Sequence, residues 1–279
     1  MKRAFLIPIL TTVIGGTVCF GAREAERPSR VRVVPMQYTQ TRVVSEDSCK
    51  RIPYGENGYV QIHTDTESGY QEHILLSVTM PDQPPIVFTP ANGSGYDPVV
   101  QILTLSDCEP CIFYQCATGG NGGMTDTAVY RVCDDQVVEL YTSIRQTKDL
   151  PYHAQAEDGY CVRVSDGRTQ STVDVRNLPA EVLSESYNAD GKLIAEPDIW
   201  ISGVVTVQPI YLGETRGWML VEFRELNWNA RVNRIGYITA PLAFTGDGFC
   251  PERDPAFRIV STLWQRESIA KQTSESRAE

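Results

Sequence analysis

The sequence predicts an all-β fold, and three observations carry that expectation. Short runs rich in Val, Ile, Thr and Tyr recur from about residue 31 to 245. Clusters of Gly, Pro, Asn and Asp punctuate them at intervals suited to turns. Few windows of ten or more residues repeat their apolar positions with the period of a helix.

The first element is an export signal over residues 1–21. Lys2 and Arg3 supply its positive start, Ala4 to Val18 form an apolar run short for a bilayer, and Cys19 and Gly21 suit cleavage before Ala22. A lipoprotein signal also ends in Cys, but Gly16, Thr17 and Val18 depart from its usual small residue before the Cys. Cleavage is therefore preferred to lipid anchoring through Cys19, and the chain is expected in the periplasm or secreted. Losing Lys2 and Arg3 moves the formal charge from −10 to −12. So acidic a chain, without a Lys/Arg cluster, argues against nucleic acid and against charge-driven membrane binding. No other stretch is long and apolar enough to span a membrane.

A cysteine-rich β domain is expected over 31–165, after the polar leader Ala22–Arg30. Its strands are read at Tyr59–His63, His73–Thr79, Val99–Leu105, Cys111–Thr118, Ala128–Cys133 and Val137–Thr142. The glycine-rich segment Ala117–Met124 joins two of them as a hairpin loop. Val164–Arg168 carries an Asp-Gly pair, which suits a tight turn because Gly tolerates positive φ. A domain boundary is expected near 165–172, where cysteines thin out. Leu178–Ser186 suits a short helix. Arg258–Lys271 suits a longer one within a C-terminal segment 256–279, with Ile259, Leu263 and Trp264 on one side.

Export makes the seven remaining cysteines disulfide candidates first: Cys49, Cys108, Cys111, Cys116, Cys133, Cys161 and Cys250. If the loop centre lies near Asn121–Gly122, a residue near 110 stands opposite Cys133. Cys108 or Cys111 would then bridge to Cys133. Cys116 could pair with Cys161, and Cys49 with Cys250; seven cysteines leave one over. The Cys108-Glu109-Pro110-Cys111 spacing matches a dithiol redox site. Ile112-Phe113-Tyr114 after it forms no helix to lower a thiol pKa, so a structural role is preferred. Zinc lacks a neighbouring His, and no metal or cofactor is expected.

Residues 172–242 resemble a bacterial SH3-like domain. Thr172–Pro179 (TVDVRNLP) is similar to that family's opening strand and turn, Tyr211–Val221 (YLGETRGWMLV) to its polar turn and Gly-Trp strand, and Ile235–Ile238 (IGYI) to its closing strand. Asn177-Leu178, the long Ala195–Gly203 loop and the insertion Glu225–Arg234 depart from the pattern. The resemblance implies a small barrel over 172–245, with Trp218 and Tyr237 as its aromatics. It also implies recognition of a cell-wall or protein ligand, often beside a wall hydrolase.

No catalytic half accompanies it in the sequence. There is no nucleophile elbow and no H-E-x-x-H. His63 and His73 would matter only if one cleft joined His63 to Asp65 and a Ser or Cys. The 119–123 glycines lack the ending of a phosphate loop. Ser186–Gly191 resembles the start of a calcium loop, but Ser186 stands where Asp belongs and Pro197 where Glu belongs, so Asn188–Gly191 reads as a turn. Trp228, between amides in the polar insertion, is a candidate ligand contact. The chain is thus expected to be a non-catalytic envelope binding protein that recognises a protein or peptidoglycan through Trp218, Trp228 and Tyr237. The alternative is an inhibitor or immunity protein that plugs an envelope-targeted enzyme with loop 117–124.

Overall fold

The structure is a computed structural model that describes residues 30–31, 51–65, 69–107, 109–120, 123–133, 136–144, 151–251 and 257–262. Residues 1–21, where an export signal is expected, with Cys19, and also Cys49 and Cys108, lie outside the described residues.

Among those residues the chain is nearly all β. Sheet I orders six strands as β1 (Arg30–Val31), β10 (Gln136–Thr142), β9 (Thr125–Cys133), β8 (Pro110–Ala117), β7 (Gly95–Thr104) and β4 (Tyr70–Gln71). Sheet II orders β2 (Ile52–Tyr54), β3 (Gly58–His63), β5 (Leu75–Thr79) and β6 (Ile86–Phe88). The turn between β2 and β3 passes through Gly55 and Asn57 at φ 58° and 63°, a region Gly and Asn enter at least cost. Alternation then aims Val60, Leu76 and Val78 at Ile112, Tyr114, Ala128 and Tyr130 of sheet I, which makes a sandwich core.

Sheet I is buried on its other face as well. Along β8, Ile112, Tyr114 and Cys116 face sheet II, while Cys111 and Phe113 join a second cluster on the far side. That explains the apolar run Cys111–Tyr114 of the strand, which alternation with solvent would have interrupted. The hairpin β8–β9 runs in register from Ile112↔Tyr130 to Ala117↔Thr125, so its centre falls at 121, as the loop composition suggested. Thr118 N donates to Met124 O at 3.0 Å to close the loop.

The rest of the chain forms two sheets that wrap one core. Sheet III is a meander of β11 (His153–Glu157), β12 (Cys161–Ser165) and β13 (Gln170–Asp174). Its second turn is the expected one: Asp166 Oδ1 accepts from Arg168 N and Thr169 N at 2.9 and 2.7 Å, and Gly167 takes φ 84°. The boundary expected near 165–172 therefore falls inside one meander. Helix α1 (Ala180–Ser184) lies within the predicted Leu178–Ser186.

Sheet IV contains three long strands, β14 (Ile199–Tyr211), β15 (Trp218–Trp228) and β16 (Ala230–Phe244). Beyond β16 lie β17 (Phe249–Pro251), which pairs with its C-terminal end, and β18 (Arg258–Ser261), which pairs with its middle. One end of sheet IV encloses a core with the meander: β11 lies alongside β14, and β13 alongside β18. The other end reaches past the meander and packs on the outer face of sheet I.

Several expectations change here. Residues 172–245 do not make a barrel by themselves, since β13 belongs to the meander and β14–β16 are 11–15 residues long. Residues 258–261 are a strand and not the start of a helix. Ile259 packs against the core and Val260 is exposed, the alternation of a chain paired to β16. The remainder of the predicted helix lies outside the described residues.

The five described cysteines are all free, so the expected bridges Cys111–Cys133 and Cys116–Cys161 are not formed. Geometry explains this. Cys116 points into the sandwich, its thiol donating to Tyr96 O at 3.3 Å, while Cys161 lies in the meander across from Asp174. Cys111 faces the opposite side of sheet I from Cys116, two strand positions out of register with Cys133 and beside Arg131. Cys250, on β17, stands across from Ala243. Burial pushes the Cys111 thiol up to about 11, which disfavours the thiolate that redox exchange requires.

Candidate functional site

The three aromatics singled out from sequence do not converge. Trp228 is 0% exposed: it ends β15 on the inward face and stacks with Tyr187, ring centroids 6.0 Å apart. Asn229, at φ 53°, turns the chain there, and its backbone N–H donates to Asp198 O at 2.7 Å. The presumed polar insertion is thus the end of a strand and its turn, and Trp228 is core. Trp218, half-buried on the same inner face, packs against the sheet I contact and pairs with exposed Tyr211. Only Tyr237 lies on the outer face of sheet IV.

That outer face gathers groups from four strands. Glu225 stands across from Tyr237 on β16, and Tyr237 across from Val260 on β18. Asn227 stands between Trp200 of β14 and Arg234 of β16. Phe223 meets Tyr237 edge to face at 6.3 Å, and the Arg234 guanidinium lies over the Tyr237 ring at 4.7 Å. Val260 is half-exposed and apolar. A solvated antiparallel face normally carries polar residues; here Phe223, Tyr237 and Val260 interrupt that pattern.

The charges are arranged around one carboxylate. Glu225, its side chain 3% exposed, accepts from Arg231 Nε at 3.1 Å and from Arg234 Nη1 at 2.9 Å. The two arginines are 44% and 39% exposed. Pairs so open on the cationic side contribute about 1 kcal/mol or less each. Their larger effect is to hold two guanidiniums in place, with one positive charge in excess. Asn227 is completely buried, and neither its Nδ2 nor its Oδ1 has a hydrogen-bond partner among the described residues; Arg234 Nε likewise has none among them. Each such group costs about 1–3 kcal/mol.

The sequence hid Glu225, Asn227, Arg231 and Arg234 inside the supposed insertion. Their signal was the strand period: Glu225 and Asn227 alternate with Leu226 and Trp228, which puts the amide and the carboxylate on the face opposite the tryptophan.

The histidines form a different arrangement from the one a hydrolase requires. His63 Nε2 and Ser77 Oγ share a hydrogen bond of 2.7 Å, and Ser77 is buried. Asp65 accepts instead from Glu72 N at 3.3 Å and lies 3.7 Å from His73 Nδ1. Base and carboxylate are thus divided between two pairs. Asp65, Glu72 and His73 bring one ligand atom each within 4.8 Å of one another, with Glu72 and His73 exposed. The calcium-like loop is a turn, in which Asn188 Oδ1 accepts from Asp190 N and Lys192 N at 3.1 and 2.8 Å.

Fold and site together define an all-β protein whose sheet IV presents a basic and aromatic outer face. Residues 150–256 match the model of the YybI C-terminal domain, a span that opens just before β11 and stops short of β18. Over 175 residues the chain is 21% identical to the uncharacterized protein YybI of Bacillus subtilis (strain 168), covering 62% of this chain and 67% of the relative. A solved structure from Bifidobacterium bifidum s17, provisionally assigned as an exo-beta-1,3-galactanase, aligns over 73% of this chain and 70% of its own. It is 13% identical with a TM-score of 0.21, which defines no shared fold.

Proposed function

We propose that this chain is an exported, non-catalytic binding protein of a bacterial cell envelope, recognising a protein or wall ligand through the outer face of sheet IV. The observation that carries the reading is the outward Tyr237, Phe223 and Val260 surface beside two ordered arginines. Aromatic and arginine side chains lose little entropy on binding when already held in place, as these are. The export signal read from the sequence puts such a surface within reach of envelope components.

An inhibitor that uses loop 117–124 is the second reading, and one feature favours it. Tyr70 and Tyr96, both exposed, meet edge to face at 5.2 Å, and the Tyr96 ring lies directly over Gly119 of that loop. Capture separates the two. The purified chain beginning at Ala22 is incubated with insoluble peptidoglycan and, separately, with envelope protein extract. Retention lost on Tyr237→Ala and kept on Tyr96→Ala supports the sheet IV reading. The reverse pattern supports the loop.

A further inference from the structure

We propose that the outer face of sheet IV takes a short peptide-like ligand by a carboxylate, with Arg231 and Arg234 as its clamp; this rests on the binding reading above. The donor count supports it first. A guanidinium carries five N–H groups. Arg231 gives only Nε to Glu225 and Arg234 only Nη1, so the terminal amino groups of Arg231 and Nη2 of Arg234 have no acceptor among the described residues. Both side chains are partly open to solvent, where a second carboxylate can approach.

Order supports it next. Buried Glu225 fixes both guanidiniums, and Tyr237 fixes the plane of Arg234. A planar donor pair held this way suits bidentate recognition of a carboxylate. Arg258, exposed across from Thr239 on the same face, raises the local positive excess.

Two observations select a peptide among carboxylates. Asn227, directly across from Arg234, buries an amide whose donor and acceptor have no partner among the described residues, and a peptide unit offers the matching C=O and N–H. Phe223, Tyr237 and Val260 provide an apolar surface one strand spacing from the clamp, suited to an aliphatic side chain next to the carboxylate. The full chain carries −10, so a long polyanion is repelled, whereas a single carboxylate experiences the local excess.

The test titrates N-acetyl-leucine, and separately N-acetyl-leucinamide, into the isotope-labelled chain beginning at Ala22, followed by NMR. The acid is expected to shift the Arg231 and Arg234 Nε–H signals and the Tyr237 ring, with the neutral amide binding at least tenfold more weakly. Arg231→Gln and Arg234→Gln are each expected to weaken the acid at least tenfold. Equal binding of acid and amide, or no shift of these signals by either at tens of millimolar, overturns the proposal without recourse to any variant. Envelope retention that survives the double Gln change but fails with Tyr237→Ala also overturns the clamp, while leaving the binding function in place. Retention on glycan strands stripped of peptide, at the same strength, overturns the peptide class.

Discussion

The two ends of β15 make opposite kinds of contact with one and the same face. Toward its C-terminus, Leu226 and Trp228 pack with Val162, Val164, Val173 and Ile238 in a core without charged groups. Toward its start, Leu220 joins the cluster against sheet I, but between the two lie Glu222 and Arg224, buried and paired at 3.0 Å. Tyr141 of sheet I donates to Glu222 at 2.8 Å, and Gln115 donates to Thr127 Oγ1 and Val207 O at 3.1 and 3.0 Å. One end is a core, and the other is a polar seam between two halves. An apolar core gains from any close packing, whereas a buried ion pair is satisfied in one register only. The seam therefore specifies how sheet IV docks on sheet I more than it strengthens the docking.

Breaking the apolar end is expected to have the largest effect. Trp228→Ala should cost about 3–5 kcal/mol in urea unfolding, since it empties the largest fully buried side chain. Arg224→Met comes next, at about 3 kcal/mol, because it strands the Glu222 carboxylate; Glu222→Gln added to it should restore stability to within about 1 kcal/mol of the parent. A double variant as unstable as the single one would show that the seam contributes strength and not only register. Tyr141→Phe, followed the same way, should cost about 1.5 kcal/mol through the lost bond to a charged acceptor.

Tyr237→Ala on the outer face should cost about 1 kcal/mol or less while removing ligand retention, and a larger loss would place it with the core. The smallest effect is a pH slope. Burial holds His63 below the usual histidine pKa, so the unfolded chain binds its proton first as pH falls. Stability from this group is full above about 6.5 and declines below it. His63→Gln should flatten the difference in urea midpoint between pH 7.5 and 5.5.

Strand identity was largely legible, because β-branched runs and Gly/Asn turns are local signals. Tyr59–His63 and Val137–Thr142 became β3 and β10 almost unchanged, and the hairpin around residue 121 was found from loop composition alone. What the sequence hid was long-range. The two-sided burial of β8 depends on a sheet formed ninety residues later, and Trp228 was misread because its amide neighbours suggested a loop. The cysteines misled for a related reason: a secretory reading favours bridges, but a bridge needs two side chains in register and in one sheet. Cys111 and Cys133 share a face of sheet I but stand two positions out of register, and Cys116 and Cys161 belong to different sheets. Of the candidate site, Tyr237 is legible in the sequence, while its charged partners are brought together only by the pairing of β15 with β16.

The placement of β18 has a consequence for how the C-terminal part can be cut. This strand fills a slot beside Gly236–Thr239, with β13 on its other side, and it arrives from beyond the 150–256 span that the family model matches. A fragment trimmed to that span exposes the unpaired backbone of β16. A neighbouring molecule's strand can then be donated into the slot, so the fragment should self-associate with rising concentration where the longer chain does not.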